Sequence, residues 1–488
     1  MGNPQDSGLR QQLAQWFRPA FFLGHNLITL IGAVATTSTA FTLLFFWGVL
    51  IVKGGPVHPY TGIIFFLILP GFFAAGLALM PLGAIWRRYK LNKAGLLPTV
   101  YPKIDLRQPL LRRAAGLVLG LSVVNVVILG TASYRGVEYM DSTQFCGQTC
   151  HTVMLPEFTA HQRSPHARVA CVECHIGPGA PWFVRSKLSG VRQVFAVMLH
   201  TYSTPIPVPV TNLRPASQTC EQCHWPQRFT GDKLVVITHY GDDEQNSASK
   251  TVLLLHVGGR SLDQKLVGIH GAHLGLITYI ASDRQRQTIP WVSHRNADGT
   301  VTVFESKDNP PKPDLVAHGE RRVMDCMDCH NRPTHIYYLP GEAVDREMAA
   351  GRISASLPYI HKEGVELLKK NYSTRQDAET RIPEELRAYY RTNYFSDYNS
   401  QRQQIEQAAN ALVYIYDGNI FPAMKVTWGT YPNNLGHMNF PGCFRCHDGN
   451  HMAKNEKVIP QDCNTCHTLL AMEEPNPKIL QELEGGGN

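Results

Sequence analysis

The sequence is short of charge, and its shortage of acid is greatest near the start. Only 17% of the 488 residues are charged, and residues 1–140 contain three acids against twelve bases. That stretch carries a net charge of +9, the whole chain +7 and the remainder −2. A nucleic-acid-binding face does not concentrate its charge in the least polar part of a chain, so we expect no nucleic-acid partner. The length also excludes a small disulfide-stapled scaffold.

Three long runs in the same quarter lack charge altogether. Residues 27–52 and 61–86 form runs of 26 residues, and residues 114–134 form a run of 21. At about 1.5 Å per residue, each run can cross a hydrocarbon layer of about 30 Å. We predict three transmembrane helices over these ranges and a lipid bilayer as the partner. The alternative is a set of buried helices in a soluble protein, which three such runs in succession disfavour.

The loops predict the orientation of these helices. Loop 87–113 holds eight Lys and Arg residues and one acid, whereas the first loop holds one basic residue. By the positive-inside rule, the N-terminal segment 1–26 and loop 87–113 are cytoplasmic, and the chain after Tyr134 lies outside. No clear cleavage site ends the first run, which is too long for a signal peptide. We therefore expect a retained, multi-pass anchor in the bacterial cytoplasmic (inner) membrane, with the rest of the chain in the periplasm.

The sequence has no unpaired cysteine. All 12 cysteines form six pairs, and a histidine follows each pair directly. The motifs are Cys146/Cys150/His151, Cys171/Cys174/His175, Cys220/Cys223/His224, Cys326/Cys329/His330, Cys443/Cys446/His447 and Cys463/Cys466/His467. Five have two residues between the thiols, and the first has three.

This pattern predicts covalent haem c. Two thiols form thioethers with the two vinyl groups, and the adjacent histidine reaches the iron. Zinc knuckles would not explain a histidine after every pair, and disulfides would not explain the regular spacing. We predict six covalently bound haems, with His151, His175, His224, His330, His447 and His467 as proximal ligands. Thioether attachment outside the cytoplasmic membrane agrees with the predicted topology.

The second axial ligands are less defined. Of 21 histidines, 13 remain in the outer region for at most six positions. Four favoured candidates lie near a motif in the sequence: His166, His335, His437 and His451. Three further candidates come next: His200, His270 and His273. Five others are interpreted as surface or hydrogen-bonded histidines: His239, His256, His294, His318 and His361. Two histidines would close both faces of an iron and make that haem an electron carrier. No CxxCK variant marks a catalytic haem.

The outer region divides into three parts. Residues 135–230 hold haem motifs 1–3, and residues 311–488 hold motifs 4–6. Residues 231–310 lack cysteine and contain three β-like runs, from Lys233, Thr251 and Thr300, which predict a small antiparallel insert. The predicted fold class is therefore a mainly α, membrane-anchored multihaem cytochrome c. It has three transmembrane helices and a loop-rich haem domain with a β insert.

One amphipathic helix is predicted near residue 400. Ile405, Ala408, Leu412 and Ile415 recur at helical spacing and predict a buried face. Ser400 with Gln403 resembles a capping box at the start, and Gly418 is placed to end the helix.

The region that leads into the first two motifs resembles a known family. An apolar helix runs into EYMDSTQFC, ending at Cys146, and SPHARVACVECHIGPG surrounds Cys171. This is similar to the NapC/NirT group of membrane-anchored cytochrome c quinol dehydrogenases, which includes NrfH-like proteins. The resemblance covers about residues 115–230. Longer multihaem inner-membrane members look more similar overall, because the β insert and three further haems exceed the short members.

The resemblance implies a quinol site beside the first haem at the membrane surface. In the family, a methionine after the first motif gives an axial bond, and Met154 matches it, although one residue later than usual. A family lysine near the quinol corresponds to Lys187. The family's carboxylate has no counterpart, because Gln193 and Val194 stand there. We take Asp141, beside the membrane exit, as the proton acceptor instead.

The implied function is quinol oxidation in anaerobic respiration. The protein would take electrons from the membrane quinol pool, specifically menaquinol, at the outer face of the membrane. It would relay them through six haems to a periplasmic or outer-membrane acceptor protein. Two alternatives stay open: a terminal reductase with one open-coordinate haem, and a non-enzymatic electron-wire subunit of a larger complex.

Overall fold

A computed structural model gives the fold of most of the chain. It describes residues 19, 22–53, 64–98, 100, 109–149, 151–177, 179–210, 213–225, 231–260 and 266–485. Most of the predicted segment 1–26 lies outside the described residues, as do 61–63 of the second predicted span and 101–108 of the basic loop. The chain divides into two compact units, Met1–Thr149 and Cys150–Asn488.

The first unit contains the three predicted membrane helices. They are α1 (Leu27–Lys53), α2 (Leu69–Lys93, after a π-helical turn at Ile64–Ile68) and α3 (Pro109–Met140). Each contains a stretch long and apolar enough to cross a membrane, which confirms the three spans. Helix α3 continues past the predicted end at Tyr134. Arg135 and Glu138 form an ion pair of 2.8 Å in its last turns, and such an i,i+3 pair stabilises a helix beyond its apolar run.

Small residues allow α1 and α2 to pack closely. A Cβ atom added to Gly76 would lie 2.5 Å from Thr36 Oγ1, and one added to Gly83 would lie 2.5 Å from Thr29 Oγ1. Apolar side chains elsewhere on these helices are exposed, as Phe45 is at 76%. Helices that face lipid gain no hydrophobic free energy from contact with each other, so close backbone approach holds them together.

The second unit begins with short helical elements around the haem motifs. They are α4 (His151–Gln162), α5 (Cys171–His175), α6 (Ala180–Met198) and the 3₁₀ turns Ala216–Gln218 and Cys220–Gln222. A π-helical turn, Phe145–Thr149, precedes them at the end of the first unit.

Antiparallel strands form the middle of the second unit. The strands are β1 (Lys233–Tyr240), β2 (Ala248–Leu255), β3 (Gly259–Arg260), β4 (Leu266–Val267), β5 (Ile277–Ile280), β6 (Trp291–Arg295), β7 (Val301–Ser306), β8 (Arg322–Val323), β9 (His451–Ala453) and β10 (His467–Glu474). Two sheets have the orders β1-β2-β10 and β8-β5-β6-β7-β9, and β3 pairs with β4. The three β-like runs thus become β1, β2 and β7. Strands from the C-terminal segment complete both larger sheets, so the predicted insert shares its sheets with that segment.

Helices of the C-terminal half enclose the largest core. The helices of the strand-containing and C-terminal regions are α7 (Gly268–His273), α8 (Pro313–His318), α9 (Cys326–Cys329), α10 (Pro340–Ala349), α11 (Ile360–Lys369), α12 (Arg375–Asn393), α13 (Phe395–Ser400), α14 (Arg402–Asn419) and α15 (Lys478–Gly485). The four apolar residues predicted to form the buried face of α14 are all buried in this core.

The predicted ends of α14 are wrong. The N-cap is Gln401, without a side-chain cap, because Ser400 belongs to α13 and its hydroxyl donates to the Ser396 carbonyl at 3.0 Å. Gly418 is buried within α14, which ends at Asn419. Because the Ser400 hydroxyl is hydrogen-bonded within α13, it does not cap α14.

Candidate haem sites

Each haem motif described beyond the first is built around one short helical turn. The backbone N–H of His224 donates to the Cys220 carbonyl at 2.8 Å, and His330 donates to Cys326 at the same distance. One turn brings both thiols and the histidine to the same side of the backbone. None of the eleven cysteines within the described residues forms a disulfide. The local geometry therefore suits attachment of one planar group to each motif.

One predicted attachment residue, Cys223 of the third motif, lies outside any helix and is exposed. The 3₁₀ turn of that motif ends at Gln222, and Cys223 follows it as the C-cap, with its backbone N–H donating to the Cys220 carbonyl at 3.2 Å. An attachment site for an apolar haem ring is expected to bury its thiols, but the protein alone leaves the Cys223 thiol exposed. Cys446 and Cys466 also follow their 3₁₀ turns as C-caps and are half-buried, so the surroundings and not the turn expose Cys223. The thioether at Cys223, like those of the other motifs, stays a prediction.

The first motif has a wider turn. Its first thiol, Cys146, lies in the π-helical turn Phe145–Thr149. A π-helix has more residues per turn than an α-helix, so it accommodates the extra residue between the thiols. Cys150 lies outside the described residues, and the His151 side chain does too, although its backbone begins α4.

Five motif histidines face a second histidine ring. The pairs and their ring-centroid separations are His175–His335 at 6.3 Å, His224–His166 at 6.0 Å, His330–His270 at 6.4 Å, His447–His273 at 5.8 Å and His467–His437 at 6.3 Å. Two imidazoles that bind one metal ion from opposite faces at about 2 Å each have their centroids about 6 Å apart. The residues therefore fit five haem irons, each between two histidines.

Hydrogen bonds orient several of these rings. The Nδ1 atoms of three opposing or motif histidines lie close to backbone carbonyls: His166 to Pro333 at 3.2 Å, His273 to Ile269 at 2.7 Å and His447 to Pro460 at 2.6 Å. A proton held on Nδ1 leaves the Nε2 lone pair free for a metal. Burial lowers the pKa of His175, His273 and His330, which favours the neutral ring that binds iron.

His335 has a charged neighbour. Its Nδ1 donates to the Glu157 backbone carbonyl at 3.0 Å, and the Glu157 carboxylate also lies 3.0 Å from Nδ1. Burial alone would raise the pKa of Glu157, but His335 and Arg332 outweigh it and lower that pKa. The carboxylate is therefore ionised beside a candidate iron ligand. Sequence reasoning missed Glu157, which lies far from His335 in the chain.

The thiols of successive motifs are neighbours. In each case burial raises the pKa of one thiol and a thiol of an adjacent motif adds to the rise: Cys220 acts on Cys174 and on Cys326, and Cys443 acts on Cys329 and on Cys466. Adjacent motifs from 2 to 6 are therefore close enough for their thiols to interact.

Other predicted ligands are not paired with a motif histidine. His451 is buried, with Nδ1 2.9 Å from Asp448 Oδ1 and Nε2 2.7 Å from the Ile289 carbonyl. Both its nitrogens are engaged, so this conformation does not favour a role as an iron ligand. The His200 ring lies 6.3 Å from the Tyr202 ring instead. The five histidines interpreted as surface or hydrogen-bonded all have polar partners.

His161 was not singled out from the sequence, although its ring lies 6.5 Å from His335. Its Nε2 lies 2.9 Å from the Val169 carbonyl and its Nδ1 3.2 Å from Gln162, so both nitrogens are engaged. The geometry therefore favours His175 rather than His161 as the ring opposite His335.

The residues predicted for the quinol site lie in two different units. Asp141 directly follows α3, and its backbone N–H donates to the Val137 carbonyl at 2.9 Å. Lys187 lies on α6 and is half-buried. Met154 is half-buried on α4, one turn after His151. The side chain of Met154 is described and that of His151 is not, so the structure does not test this predicted ligand pair.

Helix α6 exposes an apolar stripe. Its members are Val184 (54% exposed), Leu188 (69%), Val191 (56%), Phe195 (58%) and Met198 (69%), at alternating spacings of four and three residues. The basic residues Arg185, Lys187 and Arg192 flank this stripe. Basic side chains beside an exposed apolar face are typical of a helix that lies in a membrane interface. The stripe could have been predicted from the sequence, because its apolar residues recur at helical spacing.

Comparisons with known proteins agree with these features. The N-terminal region of the NapC/NirT cytochrome c family matches residues 109–225. The cytochrome c-type protein ImcH of Geobacter sulfurreducens is 42% identical over 464 residues, which cover 94% of this chain and 91% of that protein.

Two further matches cover about a quarter of the chain. The cytochrome c-type protein NrfH of Wolinella succinogenes is 29% identical over 116 residues, 22% of this chain and 65% of that protein. The cytochrome c-type protein TorC of Escherichia coli is 26% identical over 137 residues, 24% of this chain and 35% of that protein. No solved structure matches the chain.

Proposed function

Because the chain belongs to the NapC/NirT family of multihaem cytochromes c, we propose that it oxidises quinol and passes the electrons to a periplasmic or outer-membrane acceptor. Its place in the inner membrane, with the haem domain in the periplasm, follows from the three apolar helices and the family. The substrate, its menaquinone type, the six-haem count and the direction of electron flow are parts of the proposal.

The observation that carries the proposal is the apolar stripe of α6 beside Lys187. Quinol stays within the bilayer, so its oxidation requires protein groups at the membrane surface. We propose that the stripe lies in the outer interface and that Lys187 extends from it to the quinol oxygen. A lysine at that depth is costly unless it has a partner or a function.

The second group of the site is Asp141. Oxidation of a quinol releases two electrons and two protons, so the site needs a base with a path to water. Asp141 follows the last residue of the membrane helix α3 and is half-buried. We propose that its carboxylate accepts a proton at the level of the headgroups, while Lys187 holds the quinol oxygen.

Five candidate axial ligands share one role. In the proposal, His335, His166, His270, His273 and His437 complete the coordination begun by motif histidines 2 to 6. Haem c, when bound, accepts and gives one electron at a time. Paired histidines leave no place for a substrate at those five positions. This supports an electron relay rather than a terminal reductase.

The first motif would differ from the others. Met154 follows His151 by three residues, so the chain offers this motif a histidine and a methionine, and either would hold its iron. The closeness of thiols in adjacent motifs from 2 to 6 supports a relay through these motifs, and we propose that electrons enter it from motif 1.

Stopped-flow reduction tests the proposal. Purified holoprotein in detergent is mixed anaerobically with a reduced menaquinol analogue, and haem reduction is followed by absorbance. We expect rapid reduction in the natural protein and at least about tenfold slower reduction in Lys187→Gln, because the quinol oxygen loses its partner. Lys312→Gln, at an exposed lysine on the N-terminal side of α8, is the matched control and should react normally.

Dithionite must reduce all haems in every variant. If dithionite reduces the natural protein but the quinol analogue does not, quinol oxidation is wrong, and the electron-wire alternative gains support.

A further inference from the structure

Three side chains from three separate elements meet away from the haem motifs. His239 is the next-to-last residue of strand β1, Asp345 lies on α10 and His361 lies on α11. His239 Nδ1 is 2.8 Å from Asp345 Oδ2, and His361 Nε2 is 3.3 Å from Asp345 Oδ1. One potential ligand atom of each residue lies within 4.8 Å of those of the other two. We call this group the His239–Asp345–His361 cluster.

The buried member of the cluster is held in one orientation. His361 is only 4% exposed, and its Nδ1 lies 2.8 Å from Asp242 Oδ1. Its Nε2 is buried, points into the cluster and makes no hydrogen bond, despite its 3.3 Å contact with Asp345. A carboxylate that holds the Nδ1 proton of a histidine is the usual outer partner of a metal-binding ring.

The central carboxylate is also held. Asp345 Oδ1 accepts a hydrogen bond of 2.9 Å from the Tyr240 backbone N–H, and its side chain is largely buried. His239 is 62% exposed, so the cluster opens to solvent on that side. Asp345 and Asp242 place two carboxylates around the buried His361 ring, and such carboxylates favour a cation in the cluster.

We propose that this cluster binds a divalent transition-metal ion of the zinc class. Two imidazoles and one carboxylate are the ligands that such ions prefer, whereas Ca²⁺ and Mg²⁺ require mainly oxygen ligands. Three protein ligands leave a fourth position for water on the exposed side. The ion would join β1 to α10 and α11.

Another histidine–aspartate pair in the same unit is exposed and serves as a comparison for the cluster. His318 Nδ1 lies 2.9 Å from Asp314 Oδ1 on α8, with side chains 80% and 91% exposed. That pair lies within one helix, and it is not part of a three-residue group of potential ligands. It is therefore the matched control for the cluster.

Equilibrium dialysis of the full-length holoprotein in detergent tests the site. Protein stripped with a chelator is dialysed against a series of buffered free Zn²⁺ concentrations, and bound zinc per chain is measured by mass spectrometry. The cysteines are covalently attached to haem in the holoprotein and so do not compete for zinc. We expect one bound zinc per chain in the natural protein and in His318→Gln.

Two variants identify the ligands. His239→Gln changes an exposed side chain, which should leave folding intact, and we expect it to lose the bound zinc. Asp242→Asn should weaken zinc binding about 10–100-fold, because the His361 ring loses its outer partner. Zinc should also raise the unfolding temperature of the natural protein and not that of His239→Gln.

Equal zinc uptake by the natural protein and His239→Gln would overturn the proposal, as would no uptake by the natural protein. Quinol reduction should be the same in both proteins. The outcome is therefore independent of the proposed quinol site.

Discussion

The first haem motif and the other five are built differently. The first has three residues between its thiols, starts in a π-helical turn and is followed on the same helix by a methionine. The other five have two residues between the thiols, and each of their histidines faces a second ring at 5.8–6.4 Å. Paired histidines suit a relay, whereas an altered turn beside a membrane helix suits the entry of electrons from a substrate. The first motif thus differs from the other five in local geometry.

The strongest test of this comparison exchanges a ligand in the group of five. His270→Met should replace a histidine pair by a histidine–methionine pair. We expect the potential of one haem to rise by on the order of 100 mV, within the roughly 0.8 V over which axial ligands tune haem. A spectroscopic redox titration measures it. His200→Gln is the control and should leave every potential in place, whereas unchanged potentials in His270→Met would refute the pairing with His330.

The second test addresses the first motif. Met154→Leu removes the only sulfur of α4 while it keeps the side-chain volume. We expect a spectral change in one haem alone and a fall in the quinol-reduction rate on the order of tenfold. Magnetic circular dichroism separates the haems. A spectrum identical to that of the natural protein would show that Met154 is not a ligand of that haem.

A smaller effect is expected from the charge beside His335. Glu157→Gln keeps the shape but removes the negative charge that favours the oxidised iron. The potential of the second haem should rise by on the order of tens of mV, with the other haems unchanged. Redox titration resolves the change, and a fall in that potential would contradict the assigned role of Glu157.

The smallest effect on the haems is expected at His451. His451→Gln removes two hydrogen bonds from a buried ring, so the free energy of unfolding should fall by about 1–3 kcal/mol. The haem spectra and potentials should stay as they are. Chemical denaturation and low-temperature electron paramagnetic resonance check both points, and a new high-spin signal would restore His451 as a ligand candidate.

Nearness in sequence identified ligand candidates but not their partners. His335 follows the fourth motif yet faces His175 of the second, and His437 lies beside the fifth motif yet faces His467 of the sixth. His166 precedes the second motif and faces His224 of the third. Each of these three candidates thus faces the histidine of a motif other than its neighbour in sequence, so tertiary packing is needed to assign it.

The strands show the same limit of prediction from local sequence. The alternation of apolar residues predicted β1, β2 and β7 because side-chain direction along a strand is a local property. The edge partners β9 and β10 come from residues beyond 450 and carry no local sign of the sheets that they join. The cluster of His239, Asp345 and His361 also depends on contacts between distant segments, and all three residues look ordinary in the sequence.

The sequence by itself determined the three membrane helices, the family and the covalent attachment motifs. Each depends on composition or on spacing within one or two turns, where the chain has little freedom. Tertiary structure decided the five facing histidine pairs, the carboxylate beside His335 and the candidate metal cluster. These depend on side chains that only folding brings within a few ångströms, since contacts of that range have no fixed period along the chain.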